Sequence, residues 1–164
     1  KKFLGSYQKN VEHIVGGTAI YLAIDPLGTP SALVFNLMHN KVLHEKIIIL
    51  SVQLDTIPYV NFLEKAQIKV LDKYLTHVIL CYGYFDVTDI PLSLSLLKDK
   101  GLDIDEKNAT YFLGRDSIVT AKHTSMSSFR ESIFNFMGRN SEKATRYFNL
   151  PSEKVCIIGS QIKL

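Results

Sequence analysis

The sequence has little cysteine, no tryptophan, no low-complexity tract and no internal repeat. Its two cysteines, Cys81 and Cys156, each stand in an apolar, strand-like stretch. That placement reads as two buried thiols in a reducing compartment rather than a disulfide framework. Long apolar runs are also missing. Ile47–Leu50 and Val78–Cys81 are strand-sized, far short of the roughly 18 residues that suggest a membrane span. The opening KKFLGSYQKNV lacks both the apolar h-region of a signal peptide and an initiator methionine, so the chain reads as a cytosolic piece cut from a longer protein. Net charge is only +3 and Lys and Arg are dispersed, which argues against a nucleic-acid partner. So mild a charge suits anionic headgroups or a nucleotide phosphate without selecting either. There is no G-x-S-x-G elbow and no nucleophile beside a base, so no enzyme and no cofactor are expected.

What is present is an ordinary globular pattern, 46% hydrophobic and 21% charged over 164 residues. A chain of this length buries about two-thirds of its unfolded surface in one domain. Residues 1–15 are weakly patterned and read as a linker or lead-in helix, with an α/β domain over 16–164. Gly16-Gly17 breaks the backbone before a buried strand over Thr18–Ile24, and Asp25–Gly28 is a turn. Thr29-Pro30 predicts a capping hydroxyl and a first-turn proline for a helix running to Asn40, with Leu33, Val34, Leu37 and Met38 on its inner face. Strands are expected over Ile47–Leu54, Leu63–Lys73 and Thr76–Tyr84, the last two joined tightly at Lys73-Tyr74. Thr88 and Asp89 open a helix that Gly101 ends. Ala109–Leu113 and Ser117–Ala121 are expected to form a hairpin about Gly114-Arg115-Asp116. Ser128–Glu131 reads as a capping box whose helix turns Phe129, Phe134 and Phe136 inward. Asn140 starts a short helix with Tyr147 and Phe148, Pro151 stops it, and Val155–Leu164 closes the domain with a break at Gly159. The order β-α-β-β-β-α-β-β-α-α-β predicts a single-domain α/β fold, a mixed, partly antiparallel sheet with helices on its faces.

The stretch Phe35–Val60, FNLMHNKVLHEKIIILSVQLDTIPYV, carries the densest polar punctuation. His39, His44 and Glu45 invite a metal reading, but single-helix zinc sites place His at i and i+4 with a further ligand nearby. Here the spacing is five and no third ligand stands close, so no metal is expected. Asn40, Lys41 and the two histidines instead read as a knuckle that caps the helix and aims it into the next strand. The functional alternative is a contact surface formed by His39, Asn40, Lys41, His44 and Glu45. Gly28 and Thr29 occupy the strand-to-helix position where backbone amides accept phosphate, although Pro30 removes one donor. Arg115, and Arg139 with Asn140, are turn residues able to grip a phosphate or carboxylate or merely to close a turn.

Several of these segments, in order, resemble one family. GTAIYLA at Gly17–Ala23, ALVFNLMHNKVLHEKIIILSV, TYFLGRDSIV, FMGRNSEKATRYFNLPSEKV and the terminal IIGSQIKL are similar to the cytoplasmic C-terminal region of the KUP/HAK/KT potassium uptake transporters. Asp86–Lys107 matches no part of that likeness and is read from pattern alone. The resemblance implies a parent protein that imports potassium with protons at the bacterial plasma membrane. It further implies a domain that regulates, assembles or stabilises its own transmembrane part, with a homodimer as the expected assembly. A nucleotide-sensing module answering to cyclic dinucleotides is the alternative, and a small stand-alone α/β enzyme a third reading.

Overall fold

The computed structural model describes residues 11, 13–26, 28–61, 64–102, 104–105, 108–119 and 144–163, with positions 99, 115–119 and 160–163 described in backbone only. Among the described residues six strands form one mixed sheet: β1 (His13–Ala23), β2 (Val42–Leu54), β3 (Ala66–Asp72), β4 (Leu75–Tyr82), β5 (Ala109–Val119) and β6 (Val155–Lys163). Their spatial order is β3-β4-β2-β1-β5-β6, all parallel except β3, which runs antiparallel to β4. The lone antiparallel pair follows from chain length. Two residues, Lys73 and Tyr74, suffice to reverse the chain, whereas a parallel neighbour needs a crossover of a dozen residues or more. Helix α1 (Ser31–Phe35, continued as a π-helix over Asn36–Asn40) crosses from β1 to β2, and α2 (Ile90–Ser95, tightening to 3-10 over Leu96–Lys100) follows β4. A single turn, α3 (Ala144–Tyr147), precedes β6.

Alternation along the central strands divides the core in two. Ala19, Tyr21, Ile47, Ile49 and Phe112 pack with Leu33 and Leu37 of α1. Ile20, Ile48, Leu50, Val78 and Leu80 pack with Ile90, Leu94 and Leu97 of α2. Covered on both faces, β1 and β2 are apolar runs without polar alternation, as buried parallel strands require. Each such aliphatic side chain contributes roughly 1.5–3 kcal/mol of transfer free energy. The second helix forms as its sequence predicts. Asp89 Oδ1 accepts the Leu92 amide at 2.8 Å, Pro91 lies in the first turn, and Gly101 ends the helix at φ +85°.

Other expectations need correction. Gly16-Gly17 does not break the strand, which starts at His13 and runs through both glycines. The register against β2 slips between Val15 and Thr18, and Gly17 absorbs the bulge at φ +100°, where a Cβ would lie 2.9 Å from the Asn108 carbonyl oxygen. Pro30, not Thr29, is the N-cap of α1, with no side-chain cap, and Met38 is 52% exposed. Strand β2 begins at Val42, so His44 and Glu45 are strand residues and the knuckle is confined to the helix end. The expected hairpin at Gly114 is absent. Ala109–Val119 is one strand, because β6 pairs with it continuously from Tyr111↔Val155 to Val119↔Lys163, including Arg115↔Gly159. A neighbour that supplies every ladder bond removes the reason to turn. For the same reason Gly159 causes no break. Both cysteines are free, but neither is buried as expected: Cys81 is half-buried and Cys156 exposed. Phe129, Phe134, Phe136 and the Ser128 capping box lie outside the described residues; in the short helix that follows, Tyr147 is exposed and Phe148 packs against the core.

Candidate functional site

The knuckle is organised by a residue that the sequence reading passed over. Asn36 is 5% exposed and its side-chain amide donates to the Tyr21 hydroxyl at 3.0 Å and to the Val42 carbonyl at 3.1 Å. Its Oδ1 accepts the Asn40 amide at 2.8 Å, and its backbone carbonyl accepts Lys41 N–H at 3.1 Å. One asparagine thus fastens the helix end to β1 and to the start of β2. The wide π turn brings Lys41, at φ 54°, around to aim the chain into β2. Tyr21 also stacks on Phe112 with ring centroids 4.7 Å apart, and burial pushes its hydroxyl up to about 12 despite the Asn36 hydrogen bond. A signal for Asn36 exists. It falls in phase with Leu33, Leu37 and Asn40, a polar residue on the inner stripe.

Of the residues singled out for contact, His39, Asn40, Lys41 and Glu45 are exposed around this locked corner, and His39 stacks on Phe35 at 5.9 Å. His44 is half-buried and meets the Phe112 ring edge-to-face at 5.6 Å; its Nδ1 is shielded without a hydrogen-bond partner among the described residues. No group of three or more His, Cys, Asp and Glu side chains stands close enough to hold a metal among the described residues. Burial lowers the His44 pKa, and burial, then the nearby Lys69 charge, lower that of His77, whose Nε2 lies 3.4 Å from Ser51 Oγ. A histidine whose folded pKa is depressed binds its proton more readily when unfolded. Stability is therefore full above the unfolded value near 6.5 and declines as pH falls through it toward the lower folded values. Thermal melts should show a lower Tm at pH 5.5 than at pH 7.5, and His44→Gln combined with His77→Gln should flatten that difference. An equal difference in the double variant would refute the assignment.

The loop after β1 holds the other expected site. Gly28 N–H bonds the Asp25 carbonyl at 3.0 Å, closing the turn, and a Cβ on Gly28 would lie 3.2 Å from Asp25 Oδ2. This loop lies where the strand order reverses direction, between β1 and β5 at their carboxyl ends, the position at which open parallel sheets bind ligands. On the β5 side, Gly114 leaves space for the Ser31 hydroxyl, which a Cβ would strike. Arg115 lies one residue further along β5, so it is a ladder residue and not a turn residue. Arg139 and Asn140 lie outside the described residues. At the opposite end of the sheet, Gly16, Gly17, Asn108, Thr110, Glu153 and Lys154 line a polar cleft of about 740 Å³.

The carboxyl ends of β2 and β4 carry a third arrangement. Asp86 Oδ2 accepts the Gly83 and Val60 amides at 2.8 and 3.1 Å, and Oδ1 pairs with Lys65 Nζ at 3.0 Å. Burial alone would raise this carboxyl, but the Gly83 and Val60 amides and the Lys65 ammonium outweigh it and hold it below the usual carboxylate range. The loop after β4 is thereby clamped to the loop after β2.

Fold and surfaces define an α/β domain whose polar residues lock loops and decorate rims. The family model described as "K+ potassium transporter C-terminal domain" matches residues 16–164. The chain is 39% identical over 162 residues, 99% of its length, to a "Probable potassium transport system protein Kup 1" of Dechloromonas aromatica, covering 26% of that protein. It is 39% identical over 150 residues to a "Probable potassium transport system protein Kup" of Zymomonas mobilis, covering 92% of this chain and 23% of the relative. The Myxococcus xanthus protein of that name is 35% identical over all 164 residues. No solved structure matches. The chain belongs to the potassium transporter C-terminal domain family. It spans about a quarter of the length of these relatives.

Proposed function

We propose that these residues form a non-catalytic domain of a proton-coupled potassium importer, on the cytoplasmic side of the membrane, that regulates, assembles or stabilises the transmembrane part. The observation that carries this reading is the near-complete match of the chain to one quarter of proteins named for potassium transport. No helix among the described residues is long and apolar enough to cross a membrane. The ion path then belongs to the other three quarters, and this domain acts by favouring one arrangement of that part over another, with pairing of two copies as a vehicle. The test is potassium uptake by cells dependent on the full-length protein, with and without residues 16–164. Removal is expected to change the maximal rate or the membrane level severalfold while the apparent affinity for potassium stays constant. A changed affinity at constant rate would place these residues in the ion path and sink the proposal.

The loop at the strand-order reversal favours a second reading, a nucleotide-sensing site about Gly28 and Thr29. The Asp25 carboxylate beside Gly28 weighs against a phosphate there unless a cation accompanies it. Cyclic dinucleotide at a hundred times its dissociation constant would stabilise the fold by roughly 2.7 kcal/mol. Melting unmoved by millimolar nucleotide would dispose of this reading.

A further inference from the structure

Beyond the carboxyl ends of β2 and β4 the domain exposes a tight group of large apolar side chains. Tyr59 is 66% exposed, Phe85 64% and Val87 83%, and Ile57 and Tyr84 lie beside them, also exposed. The rings touch one another: Tyr84 and Phe85 centroids are 4.7 Å apart, Tyr59 and Phe85 6.1 Å. These side chains stand on two short loops with little freedom to move. Tyr84 N–H bonds the Ile57 carbonyl at 3.1 Å, Phe85 N–H bonds the Pro58 carbonyl at 2.9 Å, and the Asp86 clamp ties both loops to Lys65. Holding aromatic rings in water on a fixed backbone gains nothing for folding. Such rings are the rigid, low-entropy anchors that interfaces use as hot spots.

Charge selects the occupant. Residues 54–60 and 83–89 contain no Lys, Arg or His; Asp86 is spent on the Lys65 pair, which leaves Asp55 and Asp89 as the negative charges. The one ammonium group tied into the clamp, Lys65, is paired with Asp86. An apolar centre with an acidic rim repels an anionic lipid surface and the same face of a second copy. It attracts a basic segment with apolar side chains. Loops on the cytoplasmic side of membrane proteins have that chemistry, because Lys and Arg accumulate there. About three quarters of the relatives' length lies outside the matched region. We infer that the platform of Ile57, Tyr59, Tyr84, Phe85 and Val87 docks a Lys/Arg-rich, partly apolar loop of the same polypeptide outside these 164 residues. The inference rests on the proposed place of the domain within a transporter.

The test uses the full-length protein with Cys81→Ser and Cys156→Ser and a photo-reactive phenylalanine analogue at position 85. Illumination followed by peptide mass spectrometry reads the partner. The expected product joins position 85 to a Lys- or Arg-containing loop outside the domain. Moving the probe to position 84 and introducing Tyr59→Ser with Phe85→Ser should cut its yield at least tenfold without moving the melting temperature. High salt should reduce the yield as well, since the rim contributes through screened charge. A product with residues 1–164 of a second copy, a product with lipid, or none at all would overturn the inference. If removal of residues 16–164 alters transport but no loop product forms, docking fails and the functional proposal stands. If the product forms but transport ignores the domain, the reverse holds.

Discussion

Gly83→Ala is expected to destabilise the domain by about 3 kcal/mol or more, lowering Tm by roughly 10 °C. The new Cβ would meet the Pro58 carbonyl oxygen, with the Pro58 carbonyl carbon at 2.5 Å and the Ile57 oxygen at 2.7 Å. All three are backbone atoms, so no side chain can rotate aside. Relief requires the two loops to part, which breaks the bonds from Tyr84 N–H and Phe85 N–H and strains the Asp86 clamp. Torsion is not the cause, since Gly83 is not among the residues at positive φ. Gly101→Ala separates the two effects. Gly101 sits at φ +85° with open space around it, so alanine there should cost only about 1–2 kcal/mol of left-handed strain. Urea unfolding of both variants gives the comparison. A Gly83→Ala loss no larger than that of Gly101→Ala would mean that the loops yield, and the rigidity of the aromatic platform would fall with it.

Asn36→Leu should be nearly as damaging, at roughly 3 kcal/mol, a large share of the 5–15 kcal/mol that holds a typical domain folded. Leucine fills much the same space but supplies no donor. The Tyr21 hydroxyl and the Val42 carbonyl then lose the amide that serves both, and Asn40 loses its acceptor. Buried groups left without partners cost about 1–3 kcal/mol each. Adding Tyr21→Phe should restore part of the loss, because removing both partners of a buried hydrogen bond is milder than removing one. Chemical denaturation of the two single variants and the double gives the coupling. Losses that simply add would show that Tyr21 and Asn36 do not depend on one another, and the locked helix end would lose its explanation.

The second helix was legible because its signals are local: an acidic cap, a proline in the first turn and a glycine at the end all act within a few residues. The Lys73-Tyr74 reversal and the mixed sheet were legible for the same reason. The hairpin predicted at Gly114 failed because a glycine followed by the polar pair Arg115-Asp116 looks identical whether the chain turns or runs beside a partner more than 40 positions away. The locked corner at the end of the first helix was only half legible. His39, Asn40 and Lys41 stood out as polar punctuation, whereas Asn36 looked like one more residue of an amphipathic helix until Tyr21 and Val42 were placed against it. The aromatic platform left no pattern at all, since its members come from two loops on either side of the β3–β4 hairpin.

The sequence by itself therefore determined the second helix, the Lys73-Tyr74 reversal, the mixed α/β class and, through five ordered segments, the family to which the chain belongs. These depend on caps, periodicity and near neighbours, which the chain carries wherever it goes. Tertiary structure alone decided that β1 bulges through its glycines, that Gly114 and Gly159 lie within ladders, and that Asp86 ties two distant loops into one rigid display. Each of those depends on which backbone groups and side chains meet across the sheet, a free energy shared between partners that neither segment holds alone.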